Sequence, residues 1–334
     1  MPSRDAPAAW TEAGGTEGVV SLEAARTRLA AIEHSLRTVL QGKPDVVTLS
    51  VVCLAARGHL LIEDVPGVGK TTLAQGLARA VDCTFHRLQF TSDMLPSDVL
   101  GVTIYNARTQ AFEFKQGPIF TNILLADEIN RTTPKTQSAL LEAMNERQVT
   151  IDGRGYELPQ PFMVVATQNP VEHHGTYPLP ESQLDRFLMR LRIGYPARES
   201  EREILRASGG GPPVQVTPAA TGAEILEVQS LVEQVTVDPS IVDYMLSIVE
   251  RTRQHDALAL GVSPRGSQAL YRAAQALALA SGRDYVIPDD VKQLAVPVFA
   301  HRVVVNTRAA LGQRRSDLGE RIIGEILQHV DVPL

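Results

Sequence analysis

The chain has 334 residues, of which 44% are hydrophobic and 21% charged, and carries a formal net charge of −6. That balance fits a globular protein of about two domains, and an acidic chain has no bulk attraction for nucleic acid or anionic membrane. No apolar run is long enough to cross a bilayer and no leader is read. Cys53 and Cys83 lack metal-ligand spacing and read as small apolar residues in a reducing compartment, so the cytoplasm is the expected location.

Residues 1–20 are rich in Ala, Gly, Pro and Thr without periodicity and read as a disordered tail. Ser21 suits a helix N-cap before Leu22, Ala25, Leu29, Ile32 and Leu36. A second helix is expected over Pro44–Ala56. Next comes Leu60–Thr72, LLIEDVPGVGKTT. An apolar strand leads into a glycine turn, Gly-Lys-Thr and a helix. Gly67 and Gly69 let backbone N–H groups turn inward toward phosphate oxygens, and the helix starting near Lys70 adds its positive dipole end. Lys70 suits the β/γ-phosphates of ATP, and the Thr71 hydroxyl suits Mg²⁺. Val65, Pro66, Val68 and Thr72 complete the loop. Asp64 stands where the common pattern has glycine, a tolerated variant.

Strands and helices then alternate as in a parallel α/β sheet. The later strands are expected over Phe85–Gln89, Asn122–Ala126, Phe162–Thr167 and Leu191–Ile193. Asn122–Glu128, NILLADE, ends in two carboxylates. Strand alternation would turn Asp127 toward the water shell of Mg²⁺ and Glu128 toward an attacking water; the alternative is a solvated strand end. Asn169 follows the next strand and reads either as a group that orients the water or as an ordinary turn before Pro. Arg186, near a helix end, reads either as a surface ion pair with Asp185 or as a cation offered to a neighbouring subunit's γ-phosphate. His173-His174 reads as a loop pair, not a metal site.

Ser208–Thr217, SGGGPPVQVT, breaks the composition and reads as a linker. Beyond it, Ala223–Val235, Ile241–Arg253, Arg265–Ala280 and Pro288–His301 carry helical apolar spacing. Ser263 and Pro264 suit N-cap and first helical position, which puts Arg265 in the first turn, a poor place for a cation. Its anionic partner is a nucleotide phosphate or a nearby acid. The bases of Arg308–Arg321, interleaved with Asp317 and Glu320, read as a solvated helix face. The expected organisation is a tail (1–20), an α/β ATPase core (21–207), a linker (208–221) and a smaller all-helical lid (222–334).

Together, VPGVGKTT (65–72), LQFTSDMLPSDVLG (88–101), ADEINRTTPKTQSALLEAMNERQVT (126–150), ATQNPVEHHGTYPLPESQLDRFL (166–188) and SPRG (263–266) resemble the MoxR family of AAA+ ATPases. The resemblance spans about residues 25–330. It implies a P-loop NTPase core with a helical lid, MgATP bound by Lys70, Thr71 and Asp127, and Glu128 as the catalytic carboxylate. Asn169 takes the sensor-1 place, Arg186 that of a finger given to the next subunit, and Arg265 that of sensor 2. Val39, Leu40, Tyr195 and Pro196 match the places that cradle adenine, and Gln89 that of a polar residue sensing Glu128. Val102–Phe114 and Val149–Leu158 match two inserted hairpins. The resemblance also implies a hexameric ring that remodels or activates protein clients, with a von Willebrand factor A domain protein as partner. Neither hairpin is basic, which disfavours a nucleic-acid translocase; a nucleotide-switched scaffold without turnover is the third reading.

Overall fold

The computed structural model describes residues 21–169, 176–207, 216–306 and 315–333. The tail, His173-His174 and residues 208–215 of the linker lie outside them.

The chain begins with α1 (Leu22–Arg37), where Ser21 Oγ accepts from Ala24 N, and α2 (Pro44–Ala55). There follow β1 (Leu60–Glu63), α3 (Lys70–Ala80), β2 (Phe85–Gln89), α4 (Pro96–Leu100) and the hairpin β3 (Gly101–Asn106) with β4 (Ala111–Gln116). Next are β5 (Ile123–Asp127), α5 (Pro134–Glu146), the hairpin β6 (Gln148–Ile151) with β7 (Arg154–Glu157), and β8 (Met163–Gln168). α6 (Glu181–Leu184), β9 (Met189–Leu191) and α7 (Arg198–Ala207) end the first part. The second contains α8 (Gly222–Val232), α9 (Pro239–Gln254), β10 (Leu258–Leu260), α10 (Pro264–Ala280), α11 (Pro288–Phe299), β11 (Val304–Val305) and α12 (Arg315–His329).

Five strands form a parallel sheet in the order β2-β5-β8-β1-β9. Its central strands are apolar on both faces, as a covered parallel sheet requires. Successive side chains divide between the faces. Leu60, Ile62, Leu125 and Val165 join a core with α1, α2 and α3; Leu61, Leu124, Val164 and Ala166 join one with α5 and the β6–β7 hairpin. The first core continues without a break through Val228, Tyr244, Leu270, Phe299 and Ile322, so the C-terminal helices share it.

Three local expectations are corrected. The last strand ends at Leu191, because Ile193 N and Gly194 N donate to the Asp64 carboxylate and not to a neighbouring strand. The C-terminal region also carries an antiparallel ribbon, β10 with β11. Asp317 and Glu320 on α12 are not merely solvated: they pair with Arg192 and Arg190, and Arg190 also holds Glu63, which fastens α12 to β1 and β9.

Candidate functional site

The carboxyl end of β1 opens into the glycine loop. Gly67 and Gly69 have φ of +84° and +97°, left-handed values that favour glycine, and a Cβ on Gly67 would meet nothing within 4 Å. The loop thus leaves open space over inward-turned backbone. A cleft of about 230 Å³ beside it is lined by Val39, Leu40, Val68, Thr72, Ile193 and Pro196, among others. Tyr195 is a correction: its side chain is 74% exposed and outside this lining, and its backbone carbonyl accepts from Lys43 Nζ. Val65 and Pro66 shape the loop without lining the cleft.

Asp64 has a role that sequence reasoning missed. Its buried carboxylate accepts from Val65 N through Oδ1 and from Ile193 N and Gly194 N through Oδ2. It ties the start of the loop to the chain on the cleft's far wall. The contact crosses more than a hundred residues, so no local pattern announces it. Lys70 Nζ donates to the Asp64 carbonyl at 2.8 Å. Burial draws the Lys70 ammonium below its usual range, opposed by Asp127, Asp64 and Glu128.

β8 lies between β5 and β1, which brings Asn169 between the Asp127-Glu128 pair and the glycine loop. Asp127 Oδ1 accepts from Thr167 Oγ1 at 2.7 Å, and Thr167 Oγ1 accepts from Glu128 N at 2.9 Å. One buried hydroxyl fixes both acidic residues; a threonine inside the apolar run FMVVATQN was its only sequence signal. Asp127 Oδ2 accepts from Arg87 Nη2 and Nε at 2.7 and 3.1 Å. Gln89 bonds Arg87, not Glu128. The divergence of the two carboxylates does not come from strand alternation: the strand ends at Asp127, and Glu128 takes φ 57°, ψ 49°. This left-handed turn aims Glu128 at Arg131, Nε to Oε2 at 3.0 Å.

Thr71 and Asp127 offer a hydroxyl and a carboxylate, the hard oxygen donors that Mg²⁺ takes alongside phosphate and water. Arg87 already sets a cation against Asp127, and no group of three or more metal-ligating side chains occurs among the described residues. The donor set fits a metal carried largely by its nucleotide.

Arg186 and Arg265 lie elsewhere. They line a second cleft, of about 370 Å³, beside Gly58 and His59 at the amino end of β1. Arg186 does not pair with Asp185. Its Nη1 donates to the Leu141 carbonyl at 2.7 Å, and Asn145, with its amide oxygen turned to the guanidinium, accepts from Nη1 and Nε. Asp185 instead receives Ser263 Oγ and Arg302 Nε. Arg302, 2% exposed, also donates to the carbonyls of Phe187, Leu188 and Val298 and joins α11 to the start of β9. Arg265 has no carboxylate within ion-pair distance among the described residues, although Glu146 and Asp185 line the same cleft.

Comparison with known proteins agrees with this geometry. A family model described as ATPase family associated with various cellular activities (AAA) matches residues 59–189, and an AAA lid domain model matches 250–325. The Bacillus subtilis protein YeaC is 51% identical over 91% of this chain and 94% of its own. Chaperone MoxR1 of Mycobacterium tuberculosis is 42% identical over 99% of this chain and 87% of its own, and protein MoxR of Paracoccus denitrificans is 30% identical over 92% and 96%. The crystal structure of a candidate ATPase from Cytophaga hutchinsonii superposes with a TM-score of 0.85 at 38% identity, covering 94% of this chain and 97% of that one. Identity of 30% or more along nearly the full length of these relatives, with AAA family models over the glycine-loop core and the helical lid, makes this chain a member of the MoxR family of AAA+ ATPases.

Proposed function

We propose that the protein hydrolyses MgATP and uses the cycle, in a cytoplasmic homo-oligomeric ring, to remodel or activate protein clients. One observation carries the reading: the glycine cradle, Lys70, Asp127, Glu128 and Asn169 meet at one edge of one sheet. Phosphoryl transfer asks a protein for positioning and charge stabilisation, which this set supplies. Backbone N–H groups of Gly67–Thr71 and the start of α3 bind the phosphates, Lys70 adds its charge, and Val39, Leu40 and Ile193 flank the base. Thr71 and Asp127 would hold Mg²⁺, which would supply positive charge against the phosphates. Glu128, released from Arg131, orients the water and takes its proton as the water oxygen bonds to the γ-phosphorus, the bond from that phosphorus to the β–γ bridging oxygen breaks, and ADP and inorganic phosphate leave. Asn169 helps hold the water. Arg186, on the other end of the sheet, acts on a neighbour's nucleotide, and Arg265 shares its cleft. A donor at one end and a receptor at the other make a head-to-tail contact, which closes into a ring or grows into a helix; the family resemblance implies a ring of six.

The chaperone name of the Mycobacterium tuberculosis relative and the β3–β4 hairpin support a protein client. Tyr105 and Phe112 stack edge to face at 5.3 Å on that hairpin and are 56% and 74% exposed. Such a surface suits apolar polypeptide better than a phosphate backbone. A von Willebrand factor A domain partner and the division into core (21–207), linker (208–221) and lid (222–334) belong to the same proposal.

Lys70→Ala should abolish ATP binding, whereas Glu128→Gln should bind ATP normally and lose about two orders of magnitude or more in turnover. Unchanged turnover in Glu128→Gln rejects the assignment.

A further inference from the structure

The cleft beside the glycine loop begins where the sheet stops. β1 and β9 pair as far as Ile62 and Leu191, and beyond them the ladder ends. β1 runs on into the phosphate loop and β9 into residues 192–196, and both continuations line the cleft. The Asp64 carboxylate spans the opening. Its Oδ1 accepts from Val65 N at 2.8 Å, and its Oδ2 accepts from Ile193 N at 2.7 Å and Gly194 N at 2.6 Å. Bonds from N–H groups to a carboxylate are short and about twice as strong as neutral ones. Gly194 has φ +66°, so a left-handed turn points two successive N–H groups at one oxygen. That is the backbone concavity that binds an anion, and here the chain supplies the anion itself.

The same wall has a second tie. Lys43 Nζ, from the segment before α2, donates to the Tyr195 carbonyl at 2.8 Å. The wall is thus fixed at both of its ends, by Asp64 on the phosphate side and by Lys43 on the side of Val39 and Leu40, which stand in the same lining.

Electrostatics argue that Asp64 does not serve the phosphates. Lys70 Nζ donates to the Asp64 carbonyl, and the Asp64 charge is felt at Lys70. A carboxylate so close to a site for a polyanion opposes its ligand. Glycine, the usual residue at this place in a phosphate loop, would not. The benefit of the carboxylate lies across the cleft, at Ile193 and Gly194. We propose that Asp64 is a positioning residue for the base: it holds the wall at residues 193–196 at a fixed distance from the phosphate loop, so that the base and the phosphates of one adenine nucleotide fit together. This rests on the reading of the glycine loop as an ATP site. Both Asp64 oxygens are occupied by backbone N–H groups, so Asp64 acts through Ile193 and Gly194 and not on the nucleotide. It governs the affinity that base and ribose add to that of the phosphates.

The test is calorimetric titration of the full-length chain with ADP and with inorganic pyrophosphate, each with Mg²⁺. The ratio of the two affinities isolates the part due to base and ribose. In Asp64→Gly, pyrophosphate should bind as in the wild type or more tightly, whereas ADP should bind about tenfold or more weakly. Asp64→Asn keeps the side-chain volume but turns an amide N–H onto a backbone N–H, and the ratio should fall by about threefold or more. Both affinities come from the same variant, so a loss of stability shared by the two ligands leaves the ratio unmoved. Equal weakening of ADP and pyrophosphate would mean that Asp64 only braces the phosphate loop, and it overturns the proposal. So does a wild-type ratio in both variants. The ATP-site reading fails separately, if Lys70→Ala binds both ligands as the wild type does.

Discussion

The two ends of the central sheet handle charge in opposite ways. At the carboxyl end every working group has an internal partner: Lys70 holds the Asp64 carbonyl, Asp127 holds Arg87 and Thr167, and Glu128 holds Arg131. At the amino end the arginines of the second cleft crowd one another, and among the described residues only Arg302, on the partly buried Asp185, and Arg57, 3.6 Å from the exposed Glu233, have ion-pair partners. A region that satisfies itself can exist alone and await its ligand. One that concentrates cations with few internal partners leaves room for counter-charge from outside the chain. The contrast gives the molecule a direction, which a head-to-tail assembly needs.

Breaking the joint that builds the amino end should have the largest effect on the fold. Arg302→Met leaves Asp185 without its cation and strips donors from the carbonyls of Phe187 and Leu188. Removing one partner of a buried pair costs about 3–5 kcal/mol. Urea unfolding should show that loss with an unchanged m-value, and Arg265 and Arg272 should lose their alignment with Arg186. A variant within about 1 kcal/mol of wild type would mean that the apolar core alone holds the helical lid on the sheet.

How much of this was legible in sequence follows from the same contrast. The carboxyl end is local in the chain. Short apolar runs end in GVGKTT, ADE and TQN, and a parallel sheet brings such strand ends together. Several helices were readable for the same reason, since periodicity and capping act over a few residues, whereas both hairpins came only from the family resemblance. The amino end is non-local. Arg57, Arg147 and Arg272 are scattered over more than two hundred residues and meet only when the lid packs on α2 and α5. No spacing rule links them, and the dipole-opposed position of Arg265 is the one local sign of an unusual arginine there. Asp64 was read only as a missing glycine, since its bonds go to Ile193 and Gly194.

Acid should sharpen the comparison. His59 lines the arginine cleft but is held neutral, with Nε2 on the Met144 carbonyl and Nδ1 accepting from Val164 N. Burial first, then Arg147, pulls its pKa from 6.5 to about 4, while the Met144 bond opposes. His301, buried at the same end, shifts in the same direction. The unfolded chain takes up a proton below pH 6.5 that the native state refuses until about pH 4. The native state therefore keeps its full advantage above pH 6.5 and loses up to about 1.4 kcal/mol per pH unit per histidine across that window. His59→Gln can serve both bonds without titrating. Between pH 7.5 and 5 it should lose about 2 kcal/mol less stability than the wild type. Equal losses in the two proteins would mean that another group sets the acid limit.

The smallest effect concerns the carboxyl end. Arg87 is half exposed and gives two N–H contacts to one oxygen of Asp127, leaving Oδ1 to Thr167. A cation arriving at Asp127 with the nucleotide must compete with that guanidinium. An ion pair so accessible to water is worth at most about 1 kcal/mol, so the competition is a bias and not a block. Arg87→Gln removes it and leaves the Thr167 bond that orients Asp127. The gain in nucleotide affinity on adding Mg²⁺, measured by titration of a fluorescent ADP analogue with and without the metal, should rise by about threefold to fivefold. Affinity without metal should fall slightly if Arg87 also attracts phosphate, which the metal-free arm reads directly. An unchanged metal dependence would show that Asp127 is as available with its partner as without it. The internal pairing of this end would then be a matter of folding alone, and only the arginine end would distinguish a lone chain from an assembled one.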